Sequence, residues 1–88
     1  MPDLPARMIT GAQIRGARGM LNWDVKTLAE RSGVSEATVR RGEMADDVPT
    51  MRADNLNAIQ RVMEAAGILF LDEADVRTGG PGVRIRRR

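Results

Sequence analysis

The sequence predicts an all-α domain of four helices, followed at its C-terminal end by a short strand or hairpin. Three observations predict it. Apolar residues recur at helical spacing in four stretches between residues 10 and 66. The first three stretches each open on a side chain suited to capping a helix N-terminus, namely Thr10, Asp24 and Ser35. Short β-prone segments come only after Gly67.

Met1–Met8 contains two prolines and no periodicity, and is expected to be a flexible N-terminal arm. Thr10 and Gln13 then form a capping box, with Ile9 placed to pack on Ile14 as a hydrophobic staple. Ile14, Ala17 and Leu21 continue the first helix. Asp24 caps the second, Val25, Leu28 and Ala29 give its buried stripe, and Gly33 supplies the left-handed residue that ends it. Trp23 and Leu28 are spaced as a second staple. Ser35 caps the third helix, which runs to about Glu43, with Val34 and Val39 as a third staple. With only Gly33-Val34-Ser35 between them, the second and third helices must cross steeply, which makes them a helix-turn-helix unit. In that unit Ala29 lies where the helices meet, so a large side chain would push them apart. Gly33 must take a positive φ, and Leu28, Val34 and Val39 form the core under the turn. Met44–Met51 is polar and reads as a loop.

The fourth helix spans roughly 52–66, with Leu56, Ile59, Met63 and Ala66 on one face and Gly67 as its stop. Ile68–Leu71 and Val83–Arg86 read as strands, pairing with each other in a hairpin or across a dimer. The expected organisation is therefore an arm at 1–8, a helix-turn-helix domain at 9–67, and a strand or hairpin with a basic tail at 68–88.

Composition narrows the function. In 88 residues only Trp23 and Phe70 are aromatic, so aliphatic side chains must fill a small core, and oligomerisation is an expectation. Without Cys or His there are no disulfides, no thiolate or imidazole metal site and no histidine base, and no cofactor is expected. No apolar run approaches the ~20 residues of a membrane span, so a soluble, cytoplasmic protein is expected. An enzyme is not expected. No nucleophile lies near a plausible base, and Gly79-Gly80-Pro81-Gly82 has no helix after it to cradle a phosphate. Charge is divided unevenly. Residues 1–76 hold nine Lys or Arg against twelve acids, whereas residues 77–88 hold five arginines and no acid.

The run Leu28-Ala29-Glu30-Arg31-Ser32-Gly33-Val34-Ser35, followed by Ala37-Thr38-Val39-Arg40-Arg41 and Glu43, resembles the phage-repressor and Cro-type helix-turn-helix family, also called the xenobiotic-response-element family. The likeness extends upstream through Ile14-Arg15 to Trp23. Downstream it takes in Arg52–Gly67, Phe70 and Gly79–Arg86, so that it covers about residues 9–86. The resemblance implies a compact bundle of four or five helices, homodimeric binding to double-stranded DNA, and transcriptional regulation as a repressor or autoregulator. It makes the third helix the recognition helix, with Ser35, Glu36, Ala37, Thr38 and Arg41 facing base edges in the major groove and Arg40 nearer the phosphates. It makes Arg18 and Glu43 a structural pair tying the first helix to the end of the third.

Several positions depart from the family pattern. Val25 stands where a glutamine usually reaches the DNA backbone, Asp24 replaces a Ser or Thr, and Glu36 replaces a Gln or Arg. Gly42 stands where a bulky apolar residue usually packs, at a propensity cost of about 1 kcal/mol. Arg84, Arg86, Arg87 and Arg88 offer a basic arm for phosphates or a minor groove. Two alternatives stay open. The acidic substitutions suit a fold reused for protein binding, as an antiactivator or an adaptor to a regulator or RNA polymerase. The chain also fits the antitoxin of a toxin–antitoxin pair.

Overall fold

In the computed structural model, which describes residues 9–71 and 82–86, α1 (Gly11–Leu21) starts where Thr10 closes both halves of a capping box. The Thr10 hydroxyl accepts the Gln13 N–H at 3.0 Å, and the Gln13 side-chain oxygen accepts the Thr10 N–H at 2.9 Å. The helix ends on Asn22, a left-handed residue with φ 58, which a short polar side chain tolerates better than most. α2 (Val25–Ser32) is capped by Asp24, whose Oδ1 accepts the Thr27 N–H at 2.8 Å. It stops at Gly33, where φ is 78 as the turn requires, and the Gly33 N–H bonds to the Ala29 carbonyl at 2.9 Å. α3 (Glu36–Glu43) follows Ser35, and α4 (Ala53–Ala65) follows Arg52 without a side-chain cap. These are the four helices among the described residues.

β1 (Ile68–Leu71) and β2 (Gly82–Ile85) pair antiparallel, with Ile68 opposite Ile85, Leu69 opposite Arg84, Phe70 opposite Val83 and Leu71 opposite Gly82. The second strand starts one residue earlier than its alternation suggests. Arg86 still bonds through its N–H to the Gly67 carbonyl at 2.7 Å. Of the two pairings open to these strands, the hairpin within one chain is the one observed. The arm expected at 1–8, the Gly79-Gly80-Pro81 part of the glycine-rich turn, and Arg87 and Arg88 lie outside the described residues.

Ile14, Ala17, Leu28, Val39, Leu56, Ile59 and Met63 form a core closed to solvent, with Ile9, Val34, Ile68 and Phe70 at its margins. α2 packs on α3 and α4, α1 packs on α3 and β2, and α4 supports β1. The hairpin therefore shares one core with the helices. Two polar features fix this arrangement. Buried Gln13 completes its cap with one amide atom and uses the other, Nε2, to donate to the carbonyls of Leu71 (2.8 Å) and Gly82 (2.9 Å). One side chain thus starts α1 and holds the last pair of the ladder. Gly11 lies so close to the end of α3 that a Cβ there would overlap the carbonyl oxygens of Gly42 and Ala45, and its N–H bonds to the Asp47 carbonyl at 3.0 Å.

Candidate nucleic-acid interface

The eight residues of α3 divide cleanly between two surroundings. Val39, Gly42 and Glu43 are buried, whereas Ala37, Arg40 and Arg41 are exposed and Glu36 and Thr38 are half-buried. A period of 3.6 residues produces this split, because positions 39, 42 and 43 share the face that meets the core. The sequence-predicted residues 36, 37, 40 and 41 come together on the other face, beside the N-terminal pair Ser35 and Thr38. There the Ser35 hydroxyl accepts the Thr38 N–H at 3.2 Å and donates to the Thr38 hydroxyl at 3.0 Å, which fixes both side chains against the start of the helix.

Charge on this face is partly neutralised. Arg40 reaches Glu36 one turn earlier, at 3.4 Å from Nη2 to Oε1. Glu36 also sits in the first turn of α3, where the helix dipole favours an acid. Arg41 is exposed and has no ion-pair or hydrogen-bond partner among the described residues. Its planar guanidinium presents a fork of donors suited to a planar bidentate acceptor.

The far end of α3 is held much more firmly. Arg18 donates from Nε to Glu43 Oε2 at 2.8 Å, from Nη2 to Oε1 at 2.9 Å, and from Nη1 to the Trp23 carbonyl at 3.0 Å. The Glu43 side chain is only 7% exposed and that of Arg18 25%. The hydrogen bonds to Glu43 raise the Arg18 pKa above its ordinary value, so the charge of the pair on the arginine side is permanent. Arg15 adds a bond from Nη1 to the Glu43 carbonyl and a 3.5 Å contact to Asp46. The guanidinium groups of two residues one turn apart on α1 thus bracket the last residue of α3.

Gly42 has an explanation that the sequence did not supply. A Cβ there would run into the terminal methyl of Met51, with Pro49 beside it. The space that a bulky residue would fill from within α3 is filled instead by the following loop. Asp24 is committed to capping α2, and its bonds to Thr27 hold its carboxyl below the usual carboxylate range. Val25 is half-buried against the core, which leaves Lys26 as the exposed donor in the first turn of α2. On the last turn of α2, Arg31 lies over the Trp23 ring, 4.7 Å from its centroid, a cation–π stack that keeps the indole covered.

The arginines at the C-terminal end are separated from α3 in the chain and differ among themselves. Arg84 belongs to β2 and Arg86 continues its ladder; both are exposed. Among the described residues no group of acids could hold a metal ion, and no helix is long and apolar enough to cross a membrane. No protein-family model matches the chain, and no curated protein matches it either.

Sequence reasoning missed Gln13's bonds to the hairpin, the contacts of Arg15 and the close approach at Gly11. The capping box was a local signal for Gln13. Nothing local signals that an amide nitrogen left over from a cap will meet carbonyls about sixty residues away.

Proposed function

We propose that this chain is a DNA-binding transcriptional regulator, a repressor or autoregulator, that inserts α3 into the major groove of an operator. The observation that carries the reading is Arg41. It is an exposed guanidinium without a described partner, on the outward face of a short helix whose inner face and C-terminal end are both fixed. A rigid element of this size fits the groove, and a fork of donors matches a guanine edge. Ala37 beside it leaves room for close approach and suits the methyl group of a thymine. Ser35 and Thr38 lie at the N-terminal end of α3, where a phosphate or base edge would meet the helix dipole. Lys26 and Arg40 supply positive charge to the flanks.

The test is fluorescence anisotropy of labelled DNA from the gene's own upstream region, titrated at low and near-physiological salt against a random duplex. The reading expects binding that survives the random competitor. It also expects Arg41→Ala to lower affinity for the operator by about tenfold or more, the loss of one bidentate base contact at ~1–3 kcal/mol. Affinity that is equal on random DNA and vanishes at the higher salt would overturn it.

A second reading is favoured by one specific feature, the acids Asp24 and Glu36 at the N-terminal ends of the two helices of the helix-turn-helix unit. An α3 face with Arg40 paired to Glu36 also suits a protein partner, such as another regulator, RNA polymerase or a toxin. Under that reading Arg41→Ala leaves DNA affinity unchanged and lowers affinity for the protein instead.

A further inference from the structure

The outward face of α3 does not stop where the helix does. Met44 follows Glu43 with right-handed helical backbone angles, φ −76 and ψ −16, and its N–H bonds to the Arg41 carbonyl at 3.3 Å. Its side chain therefore continues the row that Ala37 and Arg41 begin, since residues three and four apart share one side of a helix. Met44 is 79% exposed, against 40–43% for Met20, Val48 and Leu69, the other large apolar residues exposed among the described ones. A single exposed apolar side chain is ordinary on a protein surface. What sets Met44 apart is its alignment with the candidate site.

The backbone beneath it is fixed. Arg18 holds the Glu43 carboxylate, Arg15 holds the Glu43 carbonyl, and the Ala45 N–H bonds to the Gly42 carbonyl at 3.2 Å. Met51 and Pro49 pack against the buried side of the helix at Gly42, away from this row. An apolar side chain is thus presented to solvent from a rigid backbone, in line with the exposed Arg41. Helix length brings it into reach of a ligand. Eight residues of α-helix are about 12 Å long, no more than the width of a B-DNA major groove. When α3 lies in that groove, its last turn lies there too. The apolar group on offer is the C5-methyl of thymine, which projects into the major groove. An unbranched, polarizable thioether adapts well to such a contact.

We propose that Met44 is a specificity-determining residue of the α3 surface, which packs its thioether on the C5-methyl group of a thymine. Along the helix axis it lies about 4.5 Å beyond Arg41, between one and two base-pair rises of about 3.4 Å. The thymine therefore falls within two base pairs of the guanine that Arg41 reads, on the side away from Ala37. This role rests on α3 being the helix that reads DNA.

In the operator bound by the full chain, each thymine is replaced singly by deoxyuridine, which deletes the methyl group and keeps the hydrogen-bonding groups of the pair. Anisotropy titrations with the unaltered chain are expected to show about a fourfold loss of affinity at the thymine that Met44 meets, the effect of one buried methyl group. Met44→Gln, of similar length but polar, should bind the thymine operator about fourfold more weakly and should not respond to that replacement. Met44→Leu should keep most of the response. Both variants should retain the far-ultraviolet circular dichroism of the parent, because Met44 lies outside the core. The role of Met44 alone is overturned if Arg41→Ala loses the operator but no uracil weakens binding, or if Met44→Gln responds to every uracil as the parent does. A chain that prefers no operator over random DNA, or whose preference survives Arg41→Ala, overturns the DNA reading of α3 and the role of Met44 together.

Discussion

The two ion pairs that involve α3 among the described residues join the same kinds of residue and have opposite characters. Arg18–Glu43 is bidentate at 2.8 and 2.9 Å, largely buried, and buttressed by the Trp23 carbonyl. Arg40–Glu36 is a single 3.4 Å contact between side chains 62% and 43% exposed. Water decides the difference. Around the exposed pair it screens the attraction and competes for the donors, so the two side chains give up little by separating. Around the Arg18–Glu43 pair it has little access, least of all at Glu43, so each charge depends on the other and losing one strands its partner. One end of α3 is consequently anchored, whereas the outward face keeps charges that a ligand can recruit.

The sharpest way to break this contrast is Glu43→Ala. It leaves the Arg18 guanidinium without its main acceptor, and should cost about 3 kcal/mol in a urea or guanidinium unfolding curve. Replacing both partners with apolar residues of similar size should cost less than that single change. A double variant that is no better than the single one would show that packing, and not the stranded charge, sets the loss. Next in size is Gln13→Leu. It removes the acceptor for the Thr10 N–H and the donor to the carbonyls of Leu71 and Gly82, for a loss of about 2 kcal/mol. Amide exchange of the hairpin should speed up more than exchange in α2, because the hairpin loses its link to α1.

Glu36→Gln tests the other side of the comparison. Its effect on stability should stay within about 0.5 kcal/mol. If α3 meets DNA, releasing Arg40 should tighten binding and steepen its salt dependence by about one unit of log–log slope. The smallest effect belongs to Asp24. Its folded pKa lies below the usual value of about 3.9, so its contribution is present above that pH and is lost as pH falls through the folded pKa. Asp24→Asn keeps the cap without titrating. Its thermal midpoint should match the parent near neutrality and fall less steeply as the solution is acidified.

Much of the fold is legible in the residues. The caps at Thr10, Asp24 and Ser35, the left-handed stop at Gly33 and most of the buried stripes depend on contacts within a few positions and are found where the pattern puts them. Of the expected stripe residues, Leu21 and Val25 are only half-buried, and Ala66 is exposed because α4 ends at Ala65. The Arg18–Glu43 pair spans 25 positions. It was legible only through resemblance to a family, because nothing in either neighbourhood identifies the other residue. Gly42 read as a weakness in α3 because a sequence cannot show that Met51 folds back over it. Nothing in the sequence marked Gly11, although α1 approaches the end of α3 so closely there that a Cβ would overlap the carbonyl oxygens of Gly42 and Ala45.

On the candidate site, resemblance to a family marked Ser35, Glu36, Ala37, Thr38, Arg40 and Arg41, and helical periodicity is the local geometry by which 36, 37, 40 and 41 share a face. The sequence alone decided the kind of each element and where most of them begin and end, since caps, glycines and apolar spacing act within one or two turns. Only the tertiary structure decided which surfaces meet. It brought Gln13 to the hairpin, closed the two strands within one chain, buried one ion pair and left the other in water. Those outcomes depend on which groups lose contact with water when distant segments pack, and that is a property of the assembled core.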